Sequence, residues 1–97
     1  MNEMEFWLAR KLVLDAIRIV LAYSDFDPEL LENENLTLEE IGLATHEHRD
    51  NFTTVLVERV RQEGYDIDPT NIPRARHDTI LRVASLLPGH STKTEDP

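Results

Sequence analysis

The chain has 97 residues, 40% of them apolar and 30% charged, with a formal net charge of −9 and no cysteine. A chain of this size forms one domain with one modest core, burying about two thirds of the surface that its unfolded form exposes. The composition argues against wholesale disorder, excludes disulfides, thiolate metal sites and thiol catalysis, and contains no apolar run near the roughly 20 residues of a bilayer span. With no signal-peptide layout at the charged N-terminus, a cytoplasmic protein is expected.

Leu8, Ala9, Leu12, Val13, Ala16, Ile19, Val20 and Tyr23 recur at helical spacing and predict a first helix over residues 3–23. Lys11, Asp15 and Arg18 take the opposite side. Trp7, Leu14 and Leu21, spaced at sevens, form a narrow second stripe. Such a stripe fits a helix buried on more than one side, or a seam for a partner or a second copy of the chain.

Residues 24–40 form a long acidic connection. Asp27-Pro28 has the form of a cap and first position for a short helical turn, and Leu30, Leu31, Leu36 and Leu38 are its anchors. Between Arg18 and Arg49 there is no Lys or Arg, whereas Asp25, Asp27, Glu29, Glu32, Glu34, Glu39, Glu40 and Glu47 all fall there. Such a stretch repels phosphate backbones and attracts basic protein surfaces, within a screening distance of about 8 Å at physiological salt. The plainer reading is that surplus acid keeps a small domain soluble.

A second helix is predicted over residues 45–62, with Thr45 as N-cap, Phe52, Val55, Leu56 and Val60 as its core stripe, and Gly64 closing it. A turn-rich segment follows, in which Asp68-Pro69 again begins a single helical turn. Asp78 is expected to cap a last helix over residues 79–87, with Ile80, Val83, Ala84 and Leu87 inward and Pro88-Gly89 ending it. No strand alternation is visible. The reading is all-α: a single helical domain over residues 1–88 and a flexible polar tail over residues 89–97.

Several of these segments resemble acyl carrier proteins. Glu39-Glu40-Ile41-Gly42-Leu43 is similar to the acidic approach to that family's prosthetic-group serine. Residues 60–69, ending Gly64-Tyr65-Asp66-Ile67-Asp68-Pro69, look like its helix end and Ile-Pro turn, and Thr79-Ile80-Leu81-Arg82-Val83-Ala84 resembles its last helix. The resemblance implies an acyl-carrier-like four-helix bundle of three long helices and one short. Two departures stand out. Ala44-Thr45-His46 replaces the family's Asp-Ser-Leu triplet, and alignment back from Pro69 puts Asp50 at the serine position instead, because the segment is longer by about one helical turn.

No cofactor is therefore expected, with Thr45 the one candidate attachment site for 4′-phosphopantetheine. By the resemblance, the chain would be a non-catalytic, acidic protein-interaction module serving enzymes of lipid or polyketide-type metabolism. Its partner surface would comprise Glu39, Glu40, Glu47, Asp50 and Val57.

Other chemistry finds less in the residues. His46 and Asp50 share a helix face while His48 points elsewhere, and two ligands fall short of the three or four that zinc takes, so no metal is expected. Thr45 and His46 are adjacent and do not face each other, so no catalytic pair is expected. Leu36-Thr37-Leu38-Glu39-Glu40-Ile41-Gly42 looks like the opening of a helix-turn-helix, and Arg59, Arg61, Arg74 and Arg76 would form a small basic corner. The acidic balance opposes direct nucleic-acid binding. The alternative use of that acidity is to imitate nucleic acid and block a protein that binds it.

Overall fold

The computed structural model describes residues 4–22, 24 and 26–94. The first helix, α1 (Phe6–Val20), is shorter than the 3–23 expected, and Glu3 and Tyr23 lie outside the described residues. Leu21 N–H donates to Ile17 O at 3.0 Å and Ala22 N–H to Ile19 O at 3.4 Å, tightening the last turn. The buried face is Ala9, Leu12, Val13, Leu14, Ala16 and Ile17. That face is rotated from the expected one: Ile17 is fully buried, whereas Ile19 is 42% exposed. The Trp7, Leu14, Leu21 stripe divides as well. Leu14 and Leu21 lie in the core, and Trp7 alone projects, at 64% exposure. Two thirds of the expected self-association seam is thus taken up by the chain's own packing.

Asp27 accepts the Glu29 N–H at 3.0 Å and caps a 3₁₀ turn, Pro28–Glu32. Within the long connection, Leu31, Leu38, Ile41 and Leu43 are buried. Backbone bonds then tie it to the far end of the chain. Leu38 N–H donates to Asp78 O at 2.8 Å and Glu39 N–H to Arg76 O at 3.1 Å. In return, Ile80 N–H donates to Leu36 O at 3.2 Å and Leu81 N–H to Glu34 O at 2.9 Å. Thr37 and Thr79 face each other as an isolated antiparallel bridge. The acidic segment is therefore a fixed surface rather than a free linker, because its buried leucines and paired backbone groups hold it.

The second helix, α2 (His46–Gln62), starts where expected, with Thr45 Oγ1 accepting the His48 N–H at 3.1 Å. Phe52, Leu56 and Val60 are fully buried, while Val55 is half-buried. After Gly64, whose φ is +87°, the chain enters strand β1 (Tyr65–Ile67). Asp68 then caps a second 3₁₀ turn, Pro69–Asn71, through the Thr70 N–H at 3.0 Å.

The last helix, α3 (Ile80–His90), is capped by Thr79, whose hydroxyl accepts the Arg82 N–H at 3.1 Å; Asp78 is not the cap. Pro88 and Gly89 lie inside this helix, although they were expected to end it. A proline there removes one ladder donor and crowds the carbonyl four residues back, but only two helical residues follow it, so the disturbance is confined to the last turn. Ser91 Oγ then hooks back to Leu87 O at 2.6 Å, and β2 (Ser91–Lys93) follows. It pairs antiparallel with β1, in the register Tyr65 to Lys93, Asp66 to Thr92 and Ile67 to Ser91.

These elements correct the all-α, acyl-carrier-like four-helix bundle. Three α-helices, two single 3₁₀ turns and a two-stranded antiparallel sheet are present among the described residues. The short helix expected before the last is one 3₁₀ turn, and residues 91–93 of the expected polar tail form a strand. The core lies where α1 meets α2 and α3, with Phe52, Ile17, Leu56, Ile80 and Leu87 among its largest fully buried side chains. Tyr65, Ile67 and Ile72 extend it under the sheet.

Candidate functional site

The start of α2 is the place where charge and burial conflict. Arg49 occupies the core-facing side of the helix, three residues before Phe52, and is only 6% exposed. Its Nη1 donates to Leu43 O at 3.0 Å, whereas its buried Nε has no hydrogen-bond partner. Among the described residues, Arg10 pairs with Glu34, Arg18 with Asp15, Arg61 with Asp66, Arg74 with Asp50 and Arg82 with Asp78. Arg49, the most deeply buried base, pairs with no carboxylate among them. Burial of an unpaired cation is costly, so this position stands out in a chain with surplus acid.

The segment before α3 crosses in front of it. Asp78 Oδ2 accepts the Ala75 N–H at 2.9 Å, and the Asp78 N–H donates to Ala75 O at 2.9 Å, closing a tight turn. Asp78 Oδ1 lies 3.2 Å from Arg82 Nε, so its charge is engaged on the α3 side. The turn presents Arg74, Ala75, Arg76 and His77 towards Ala44, Thr45, His46 and Arg49. Together they line an open hollow of about 720 Å³. Three arginines and two histidines line it, with no carboxylate among the described residues.

The residues expected to form the partner surface divide among different settings. Thr45 is exposed, but its hydroxyl serves as the helix cap. Asp50 is exposed and lies 3.3 Å from Arg74, so it supports the loop rather than pairing with His46. Val57 is 4% exposed and belongs to the core, which corrects its placement on a partner face. The helix turns so that Val57, not Val55, shares the inner side with Phe52 and Val60. Glu40 is in a reciprocal arrangement with Thr37. Its carboxylate accepts the Thr37 N–H at 3.0 Å, and its own N–H donates to the Thr37 hydroxyl at 3.2 Å. The Thr37 N–H foremost, and the Thr37 hydroxyl beside it, hold the Glu40 carboxyl below its ordinary pKa.

The other acids of the connection divide in two. Asp27 caps the first 3₁₀ turn and Glu34 pairs with Arg10. Glu29, Glu32, Glu39 and Glu47 are exposed, and their carboxylates enter no hydrogen bond or ion pair among the described residues. Glu29 and Glu32 line a second hollow with Arg10 and Arg18, but those two bases are engaged by Glu34 and Asp15.

The basic corner expected of Arg59, Arg61, Arg74 and Arg76 is assembled only in part. Arg74 lines one hollow with Arg61 along α2 and another with Arg76 at its first turn, while Arg59 lines neither. Among the described residues no group of three His, Cys, Asp or Glu side chains converges, and no helix is long and apolar enough to cross a membrane. The meeting of Arg49 with Arg74, Arg76 and His77 was not foreseen. Its one local signal is the arginine at core spacing ahead of Phe52.

No family model, no curated protein and no solved structure matches this chain.

Proposed function

We propose that this chain is a non-catalytic docking domain that presents its acidic connection to a basic protein surface. The observation that supports the reading is the set Glu29, Glu32, Glu39 and Glu47. These are exposed carboxylates without partners among the described residues; the first three stand on a segment that buried leucines and backbone bonds hold in place, and Glu47 follows in the first turn of α2. A fixed array of unpaired charge steers encounter with an oppositely charged surface and mainly accelerates association. The sugar-phosphate backbone of a nucleic acid would be repelled by the same array.

The test begins with capture of partners from an extract of the source cells at low salt, followed by binding kinetics with the purified partner. Replacing Glu29, Glu32, Glu39 and Glu47 together by Gln is expected to slow association about tenfold or more and to flatten its salt dependence. Glu58→Gln with Glu63→Gln, at the other end of α2, is the matched control and should change little. Equal association rates for the two variants would overturn the assignment. Competition against DNA for the same partner separates a docking domain from a nucleic-acid mimic.

A further inference from the structure

We propose that the hollow at the start of α2 binds a phosphate group. Arg49 supplies the primary reason. It is a cation more than nine-tenths buried, no carboxylate pairs with it among the described residues, and its side chain lines the hollow, although the unpartnered Nε itself is closed to solvent. An anion seated there would provide the counter-charge that the chain itself does not.

The backbone supplies the second reason. A helix leaves its first N–H groups without intrahelical acceptors, and only the His48 N–H is taken by the Thr45 hydroxyl. The N–H of His46, which lines the hollow, stands at the positive end of the 17-residue α2. Arg76 has no ion-pair partner among the described residues and approaches from the opposite wall with His77.

Donors therefore converge from two separate segments. That suits a group with three acceptor oxygens and nearly two charges better than a flat carboxylate with two oxygens. The acids nearby act against binding only in part. Asp50 is held by Arg74 at 3.3 Å, and Asp78 by Arg82 and the Ala75 N–H. Glu40 is engaged by Thr37, whereas Glu39, whose N–H donates to the Arg76 carbonyl, keeps a carboxylate without a partner among the described residues and opposes binding. Glu47 sits in the first turn of α2 with a free carboxylate.

Titration of the full chain with inorganic phosphate at constant ionic strength, followed by amide correlation spectra, tests the site. Saturable shifts are expected for the amides of residues 44–49 and 74–77. Arg76→Ala, at an exposed position, should weaken binding about tenfold. Arg49→Met should abolish the response; because this variant alters the core, its fold is checked by circular dichroism, and Arg76→Ala carries the test if it unfolds. Lys11→Ala, on exposed α1 surface, should bind as the parent does. Glycerol 3-phosphate in a parallel arm separates the sources: tighter binding than inorganic phosphate marks a phosphate ester as the ligand, and equal binding marks the free ion. Shifts that do not saturate, that chloride reproduces, or that survive Arg76→Ala would overturn the site.

Discussion

Gly42 is where the acidic connection turns towards α2, with a φ of +117°, and a Cβ there would meet Leu21 Cδ1 at 3.3 Å. Gly64 also has positive φ, but a Cβ would meet nothing within 4 Å. The two glycines thus separate backbone strain from packing. Gly64→Ala should cost about 1–2 kcal/mol from the left-handed backbone alone. Gly42→Ala should cost more, about 2–3 kcal/mol, because Leu21 must also give way. Urea unfolding with unchanged m-values measures both, and equal losses would show that the Leu21 contact contributes nothing. A pH effect belongs to the same scale. Thr37 holds the Glu40 carboxyl low, and the Thr70 N–H and hydroxyl do the same for Asp68. Carboxyls with depressed folded pKa values stabilise the fold above their unfolded values, and that contribution is lost as pH falls through the folded ones. Unfolding free energy should therefore drop below roughly pH 4, and Glu40→Gln with Asp68→Asn should flatten the decline. An unchanged acid profile in the double variant would contradict this.

The caps and the sheet show which elements local rules determine. Asp27-Pro28, Thr45 and Asp68-Pro69 each act within three residues, and each begins its turn or helix where the pattern places it. The sheet obeys no such rule. Tyr65-Asp66-Ile67 alternates buried, exposed, buried over three residues only, too few for a period to be distinguished, and its partner Ser91-Thr92-Lys93 is wholly polar. The pairing is held from outside: Thr94 N–H donates to Gly64 O at 2.7 Å, and Lys93 Nζ lies 4.9 Å from the centre of the Tyr65 ring. Deleting residues 91–97 should uncover Tyr65 and Ile67, lower stability by about 1–3 kcal/mol and speed amide exchange at residues 65–67. Unchanged stability and exchange would mean that the strand adds nothing to the fold.

Over the whole molecule, charge is divided rather than merely abundant. Glu29, Glu32, Glu39 and Glu47 lie without partners among the described residues, while Arg49, Arg76 and two histidines gather around one hollow. The first group was visible in the bare sequence, because Arg18 to Arg49 contains no base between them. The second was not, because it joins residues 27 positions apart, Arg49 and Arg76. The orientation of α1 was hidden for a related reason. Both Ile17 and Ile19 suit an apolar stripe, and only the positions of α2 and α3 decide which is covered. The sequence by itself determined the start of α2, the Asp-Pro turns and the acidic connection, since hydrogen bonds at caps and charge runs depend on neighbours a few residues away. Tertiary structure alone decided the face that α1 buries, the pairing of β1 with β2, and the burial of Arg49 opposite Arg76. Each of these requires segments far apart in the chain to meet, and no local periodicity encodes that meeting.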